Sequence, residues 1–258
     1  MAGISAVSAA GSSGYYGQIA SGRRINSAAD DAAGLSISEK LKTEIGGDDA
    51  ASANTKEGIS AMNIADGALG EVTDYLQKIK ELSVKASNGL MTSEDKSAIQ
   101  SEISQYLDGI DQLTKNTQYN GLNLIDGSSD GTKIASNADG SGFSVSFGNS
   151  TTEALGISGY DVTGDFDMQV IDDAIAKVSS SRSAVGASTN AAASAYASTQ
   201  NASYNLSSAE SSLADLDIPK AVSDMKKQEL LDEYSIMAQR QFADDEEKQA
   251  NRLLAGLG

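Results

Sequence analysis

The stretch from Lys56 to Asn88 carries apolar residues at the spacing of a long amphipathic helix. Successive apolar positions are three or four residues apart, which places them on one side of a helix. The charged residues between them are typical of a solvent-exposed face. A helix with one apolar stripe is not stable alone, so this stretch requires partner helices. The apolar positions are Met62, Ala65, Leu69, Val72, Leu76, Ile79 and Leu82.

A second apolar stripe follows after a short break in the helical pattern. Asn88-Gly89 is typical of a helix C-terminus, and Thr92-Ser93 followed by two acidic residues is typical of a helix N-terminus. The next helix is therefore predicted to run to about Asn116, and two complementary stripes predict an antiparallel hairpin. We expect Met62, Leu69, Val72, Leu76 and Ile79 of the first helix to pack on Ile99, Ile103, Ile110 and Leu113 of the second, whose stripe also includes Tyr106 and Thr117.

Another helical pattern begins upstream with Leu35, Leu41 and Ile45. The pair Gly46-Gly47 interrupts it, and each glycine costs a helix about 1 kcal/mol relative to alanine. We therefore predict that the helix kinks or breaks at this pair before the long helix starts.

The helical period disappears between Asp126 and Asp165. Phe143, Val145 and Phe147 alternate with polar or small residues, which is the two-residue period of a strand. Asp139-Gly140 precedes them and is a typical hairpin turn. A small β-hairpin is therefore predicted here.

Helical spacing returns from Ile171 to Leu213, although Ser179 to Ser212 consists largely of Ala, Ser and Thr. A flexible linker would explain this composition, but a linker has no need for a three-to-four spacing, so a helix is favoured. Asp215 to Asp217 and Pro219 mark a joint, and a last helix begins near Val222. These elements predict a mainly α protein: a long antiparallel helical bundle, or coiled-coil rod, with a small β-hairpin region.

Composition narrows the range of functions. The chain has 258 residues, a net charge of −17, and neither histidine nor cysteine. Nucleic acids and anionic membranes both require a basic surface, so neither is expected as a partner. Disulfides, Cys/His zinc sites and histidine-based catalysis are excluded. Ser93 and Lys96 have the spacing of a Ser–Lys nucleophile pair, but a helix N-cap explains them better, so we predict no enzyme, cofactor or metal site.

Motifs at both ends of the sequence and through most of its length occur in a combination typical of one protein family. Each motif alone is weak, but together they resemble bacterial flagellin. The N-terminal half contributes Arg24–Ala28, Asp30–Gly34, Leu76–Leu82, Ala86–Asn88, Ile99–Ile103 and Thr117–Gly121, and the C-terminal half contributes Ser179–Arg182, Gly186-Ala187, Ala209–Ser211 and Asp215.

The resemblance implies a structural subunit that is exported through the flagellar type III apparatus and polymerises with itself into the extracellular filament. That route fits a protein in which we expect no ordinary signal peptide. Further implied partners are an export chaperone at the C-terminal helix and the filament cap and junction proteins. The implied domains are a filament-core segment at 1–34, a rod at 35–214 with a short variable β region at 127–165, and a C-terminal filament-core helix at 215–258 that pairs with 1–34. Both terminal segments are expected to become ordered only in the polymer or on a chaperone.

The resemblance also implies a contact surface for the host Toll-like receptor 5 on the rod helices, at Gln77, Lys78, Leu82 and Glu102. The alternative is that these are ordinary solvated helix residues. Lys78 stands where receptor-active members usually carry arginine, and an ammonium group cannot form the bidentate contacts of a guanidinium. We therefore expect weaker receptor binding and reduced signalling.

Two other functions stay open at this point. A hook–filament junction protein shares the terminal motifs, and a secreted flagellin-like immune ligand would not polymerise at all. The last helix also departs from the family pattern, because Asp244–Lys248 is a charged run. Burying such charges is costly, so we expect them to pair or to face water.

Overall fold

The computed structural model describes residues 15–255 of the protein, with side chains described for residues 15–251. The protein forms two compact units. The terminal unit combines Met1–Thr43 with Asn205–Gly258, and the central unit is Glu44–Tyr204. We expect the N-terminal segment to become ordered only in the polymer or on a chaperone. Residues 1–14 of that segment lie outside the described residues.

Helices account for most of the described residues, as the apolar spacing predicts. The helices are α1 (Ala32–Ala86), α2 (Ser93–Asn116), α3 (Thr152–Leu155), α4 (Gln169–Ala214) and α5 (Ile218–Ala255). Residues 15–21 are also helical. The strands are β1 (Gln118–Tyr119), β2 (Leu122–Asn123), β3 (Thr132–Ala135) and β4 (Gly142–Val145). The prediction of a mainly α protein with a small β region is confirmed.

The prediction of a kink or break at Gly46-Gly47 is wrong, because α1 continues through both glycines. A Cβ atom on Gly47 would lie 2.7 Å from the Cβ of Ala138 and 3.1 Å from its Cα. Ala138 lies in the turn between β3 and β4. Glycine therefore lets α1 approach this turn closely, and tertiary packing outweighs the weak helix propensity of the pair.

The core of the central unit lies along α1, α2 and α4. The buried apolar side chains of the three helices belong to one cluster, so the helices share a single core. The side chains larger than alanine that have no exposed surface are Met62, Leu69, Val72, Leu76 and Ile79 of α1, Ile103 and Ile110 of α2, and Ile171, Val178 and Val185 of α4. Ile99 is also buried, and Leu113 is partly buried against the same cluster.

The buried stripe of α2 differs from the predicted one at two positions. Leu107 and Thr114 are buried, whereas the preceding residues Tyr106 and Leu113 are half-buried. Both choices satisfy a spacing of three or four residues, so periodicity alone does not separate them. The rotation of α2 against its neighbours decides which of each pair lies innermost.

The predicted β-hairpin is confirmed. β3 and β4 pair in antiparallel fashion, with Ile134 opposite Phe143 and Thr132 opposite Val145. A smaller hairpin joins β1 to β2 through Asn120 and Gly121, whose φ angles are 50° and 80°. Two positive φ angles in a two-residue loop define the type I′ turn, which suits the Asn-Gly sequence.

The Ser/Ala-rich stretch is helical, as the spacing predicts, because α4 runs without interruption from Gln169 to Ala214. Its small buried residues include Ala192 and Thr199, which permit close packing of neighbouring backbones. α5 begins at Ile218, so Pro219 lies in the first helical turn, where the missing N–H is not needed. The predicted joint between the last two helices is confirmed.

Candidate assembly and recognition surfaces

The loop between residues 22 and 31 holds the two ends of the terminal unit together. The backbone N–H of Arg24 donates to the carbonyl of Ala214 at 2.7 Å, and the N–H of Leu216 donates to the carbonyl of Gly22 at 3.0 Å. The Arg24 guanidinium also donates to the carbonyl of Leu213 at 2.5 Å. The loop therefore satisfies backbone groups at the end of α4, where no further helical turn supplies partners.

Arg23 joins three segments of the terminal unit through its side chain. Its guanidinium donates to the Ser38 hydroxyl of α1 at 3.2 Å and to the Glu210 carboxylate of α4 at 2.5 Å. The Ser38 hydroxyl in turn donates to Glu210 at 2.9 Å. Ser38 is fully buried, while the side chains of Arg23 and Glu210 are 29% and 16% exposed. Partly buried charge pairs of this kind depend strongly on both partners.

Two acidic residues shape the rest of the loop. The Asp30 carboxylate accepts from the backbone N–H groups of Asn26 and Ser27 at 3.0 and 2.9 Å, and these bonds lower the pKa of Asp30. Asp31 accepts from the N–H of Gly34 at 2.8 Å, which satisfies a free donor in the first turn of α1.

Close packing explains why residue 34, in the first turn of α1, is a glycine. Ile25 is buried, and a Cβ atom on Gly34 would lie 2.7 Å from its Cδ1 atom. Ile25, Asp30, Asp31 and Gly34 of the N-terminal motif therefore each make a contact that shapes the loop or the start of α1.

α5 presents an apolar face to solvent. Leu230, Tyr234 and Met237 follow one another at helical spacing, and their side chains are 56%, 63% and 49% exposed. Other exposed large apolar residues of this helix are Ile218, Val222, Leu231, Ile236 and Phe242. A row of exposed large apolar side chains of this kind is typical of a protein–protein contact.

The charged run at residues 244–248 lies on exposed positions of the same helix. Lys248 lies 3.6 Å from the Asp245 carboxylate, one helical turn away. An exposed pair of this type contributes little to stability. These charges face water, and they do not interrupt α5.

Three of the four predicted receptor residues are exposed on the central unit, namely Gln77, Lys78 and Glu102. Leu82 is half-buried and packs against the apolar cluster, because Ser83 and Ala86 take the fully buried positions at the end of α1.

The charged members of this group have partners one turn away. The Lys78 ammonium donates to Glu81 at 2.9 Å, and this hydrogen bond raises the pKa of Lys78. Glu102 accepts from the Tyr106 hydroxyl at 3.4 Å.

The chemistry of residues 93–96 is that of a helix cap. The Thr92 hydroxyl accepts from the Asp95 N–H at 3.2 Å, and the Asp95 carboxylate accepts from the Thr92 N–H at 3.1 Å. This reciprocal pair confirms the predicted cap of α2.

Within residues 15–255, no group of three or more His, Cys, Asp or Glu side chains is placed to hold a metal ion. None of the helices in that range combines the length and apolarity needed to cross a membrane.

Comparison with known proteins places this architecture in a family. Residues 5–130 match the bacterial flagellin N-terminal helical region, and residues 168–246 match the bacterial flagellin C-terminal helical region. A flagellin of Halalkalibacterium halodurans is 34% identical over 226 residues, which covers 84% of this chain and 83% of the relative. A flagellar filament 33 kDa core protein of Treponema phagedenis is also 34% identical, with 83% and 82% covered.

A solved structure shares the fold. It is that of a putative flagellar hook-associated protein from Vibrio parahaemolyticus, with a TM-score of 0.55 and 18% identity over 72% of this chain and 100% of that one. At this identity the likeness concerns the fold alone. The two matched family regions together span most of the sequence, and the two relatives match along more than four fifths of their length. The chain therefore belongs to the bacterial flagellin family.

Proposed function

We propose that this protein is a structural subunit that polymerises with itself into the flagellar filament. The observation that carries the proposal is the exposed apolar face of α5, at Leu230, Tyr234 and Met237. Large apolar side chains in contact with water favour association that buries them. An open filament requires each subunit to present two different complementary surfaces, so that contacts repeat without closing into a ring.

The domain roles follow from the same proposal. Residues 1–34 and 215–258 form the filament core, and residues 35–214 form the rod with its short variable region at 127–165. The N–H of Leu216 donates to the carbonyl of Gly22 at 3.0 Å, and this contact between the two terminal segments supports a core in which both take part. The assembled filament lies outside the cell, and the type III apparatus exports the subunit.

Further partners belong to this route. An export chaperone covers the apolar face of α5 before assembly, because that face would otherwise associate prematurely. The filament cap and the junction proteins contact the polymer at its ends.

Sedimentation and negative-stain electron microscopy test the proposal. The full-length protein should form long filaments under polymerising conditions. A variant with Leu230→Ser, Tyr234→Ser and Met237→Ser should stay in the supernatant, because the apolar face is lost. The matched control carries Lys226→Ser, Glu233→Ser and Arg240→Ser on exposed polar positions of α5 and should still assemble.

Two outcomes would contradict the proposal. If the apolar variant sediments like the parent, the α5 face is not a subunit contact. If the parent itself stays monomeric or forms only short assemblies, a non-polymerising immune ligand or a junction protein becomes the better description.

Receptor binding is a second function of the same protein in this proposal. Gln77, Lys78 and Glu102 are exposed and therefore accessible to Toll-like receptor 5 on the monomer. A triple alanine variant at these positions should lose binding, whereas Asn54→Ala, Glu57→Ala and Lys85→Ala, at exposed positions of α1, should not. Replacing Lys78 by arginine should strengthen binding, because a guanidinium offers two parallel donors. Equal binding by the parent and the first variant would remove these residues from the receptor surface.

A further inference from the structure

The sequence contains two Asn-Gly pairs, Asn88-Gly89 and Asn120-Gly121, and both asparagines are exposed. Asn-Gly is a reactive pair, because the glycine nitrogen can attack the amide carbon in the side chain of the preceding asparagine. Glycine offers no side chain to obstruct the approach. The two pairs therefore share their chemistry and their access to water, and they differ in backbone geometry.

Asn88 is held in a geometry that favours this attack. Its backbone carbonyl accepts from the N–H of Met91 at 3.0 Å, so Asn88 is the first residue of a four-residue turn. The amide oxygen of its side chain, Oδ1, accepts from the N–H of Leu90 at 3.1 Å. This bond ties the side-chain amide to the backbone two residues ahead, across Gly89, and so limits its freedom to move away from the Gly89 nitrogen.

The same hydrogen bond helps the reaction electronically. Attack on the amide carbon places negative charge on Oδ1, and a donor already directed at that oxygen stabilises the charge. Apart from Gly89 and its two neighbours in the sequence, no heavy atom lies within 4 Å of the position that a Cβ on Gly89 would occupy, and the same is true at Gly121. The ring that forms therefore has room.

Asn120 is held in the opposite way. It is a central residue of the type I′ turn between β1 and β2, with φ at 50°. The strands on either side are paired, with Tyr119 opposite Leu122, and the N–H of Leu124 donates to the carbonyl of Thr117 at 3.0 Å. Closing a ring between Asn120 and Gly121 requires this turn to open first, which lowers the reactive population.

We infer that Asn88 is a site of self-catalysed deamidation and that Asn120 is protected from the same reaction. A bond forms between the Gly89 nitrogen and the amide carbon of Asn88, the bond from that carbon to Nδ2 breaks, and ammonia leaves with the displaced proton. Water then opens the cyclic imide at either carbonyl, which gives aspartate or isoaspartate. No oxidant, metal or enzyme takes part.

The product changes the connection between α1 and α2. Each event adds one negative charge, and the isoaspartate form adds a methylene group to the backbone. The altered backbone lies four residues before Thr92, whose reciprocal hydrogen bonds with Asp95 cap α2. The inference stands independently of filament assembly, since it rests on the geometry of the central unit alone.

Peptide mass spectrometry of the folded full-length protein, after incubation at mildly alkaline pH, tests the inference. Trypsin separates the two sites, because Lys85 and Lys96 bracket the first and Lys115 and Lys133 bracket the second. Deamidation at Asn88 should be at least about tenfold faster than at Asn120, since only the latter requires opening of a paired turn. In strong denaturant the two rates should converge.

Two kinds of variant distinguish the effect of the Asn-Gly sequence from that of the hydrogen bond to Oδ1 of Asn88. Gly89→Ala should slow the reaction at Asn88 and leave Asn120 unchanged. Leu90→Pro removes the donor to Oδ1 and should slow Asn88 by roughly threefold or more, whereas Leu90→Ala keeps the donor and should not. Equal rates at the two asparagines in the folded protein would overturn the inference, and an unchanged rate in Leu90→Pro would overturn the role of the Leu90 N–H.

Discussion

At the residue scale, the carboxylate of Glu210 is the centre of the network that joins the loop, α1 and α4 in the terminal unit. It accepts hydrogen bonds from both the Arg23 guanidinium and the buried Ser38 hydroxyl. Glu210→Ala would leave a partly buried cation and a buried hydroxyl without their acceptor. Because the pair is partly exposed, we expect a loss of about 1–3 kcal/mol in the stability of this unit, below that of a fully buried pair.

Hydrogen exchange measures this effect locally. The amides of the first turns of α1, between Ala32 and Thr43, should lose protection in Glu210→Ala. Glu39→Ala provides the control, because its pair with Lys42 at 3.3 Å is exposed and should contribute less than about 1 kcal/mol. Equal protection in the two variants would show that the Arg23 network does not hold α1 in place.

At the element scale, α1 contains two adjacent glycines, and replacing each by alanine is expected to change the stability of the central unit in opposite directions. Beyond its neighbours in the sequence and the nearby backbone of α1 itself, Gly46 has no heavy atom within 4 Å of the position of an added Cβ, whereas an alanine at Gly47 would collide with Ala138. Gly46→Ala should therefore stabilise the central unit by about 0.5–1 kcal/mol through helix propensity. Gly47→Ala should destabilise it by about 1–3 kcal/mol, because the displaced contact includes backbone atoms.

Urea unfolding of the two single variants and of the parent, followed by far-ultraviolet circular dichroism, gives the comparison. The slopes of the transitions should agree, so that the midpoints report stability directly. Stabilisation in both variants would mean that the turn between β3 and β4 yields easily and that Gly47 is not required for the approach of α1.

At the scale of the whole molecule, net charge opposes self-association. The protein has a net charge of −17, and copies brought together in a polymer repel one another at low ionic strength. We therefore expect the extent of assembly to rise with NaCl as the charges are screened. Converting Asp244, Asp245, Glu246 and Glu247 to their amides removes four of the charges, giving −13, and should lower the salt requirement.

A second variant controls for position. It converts four exposed acids of the central unit, Glu57, Glu71, Asp74 and Glu94, to their amides and reaches the same net charge. Sedimentation across a salt series should show a smaller drop in the salt requirement for this variant than for the α5 variant. Salt screens the repulsion between widely separated charges more than that between close ones, and the filament-core helix is proposed to bring its charges close to those of neighbouring subunits. An unchanged salt requirement in both variants would contradict a role for net charge in assembly.

Much of this architecture was predictable from the sequence, because the signals involved are local. Apolar spacing along 56–88 and 99–113 predicted the helices of the central unit, since a helix places residues three and four apart on one face. The cap at Thr92 and the hairpin turn at Asp139-Gly140 were predictable for the same reason. The combination of motifs indicated the flagellin family, which the comparisons confirm.

Other features depend on contacts between residues far apart in the sequence, and only the tertiary structure decided them. The interruption predicted at Gly46-Gly47 does not occur, because Ala138 packs against Gly47 and helix propensity is a weak term beside packing. The innermost positions of α2 are Leu107 and Thr114, because the rotation of a helix against its neighbours is not contained in its own period. The network of Arg23 with Glu210 joins residues 187 positions apart, so no local sequence pattern predicts it. The sequence by itself determined most of the elements and the family, whereas tertiary packing decided the continuity of α1 and which side chains meet.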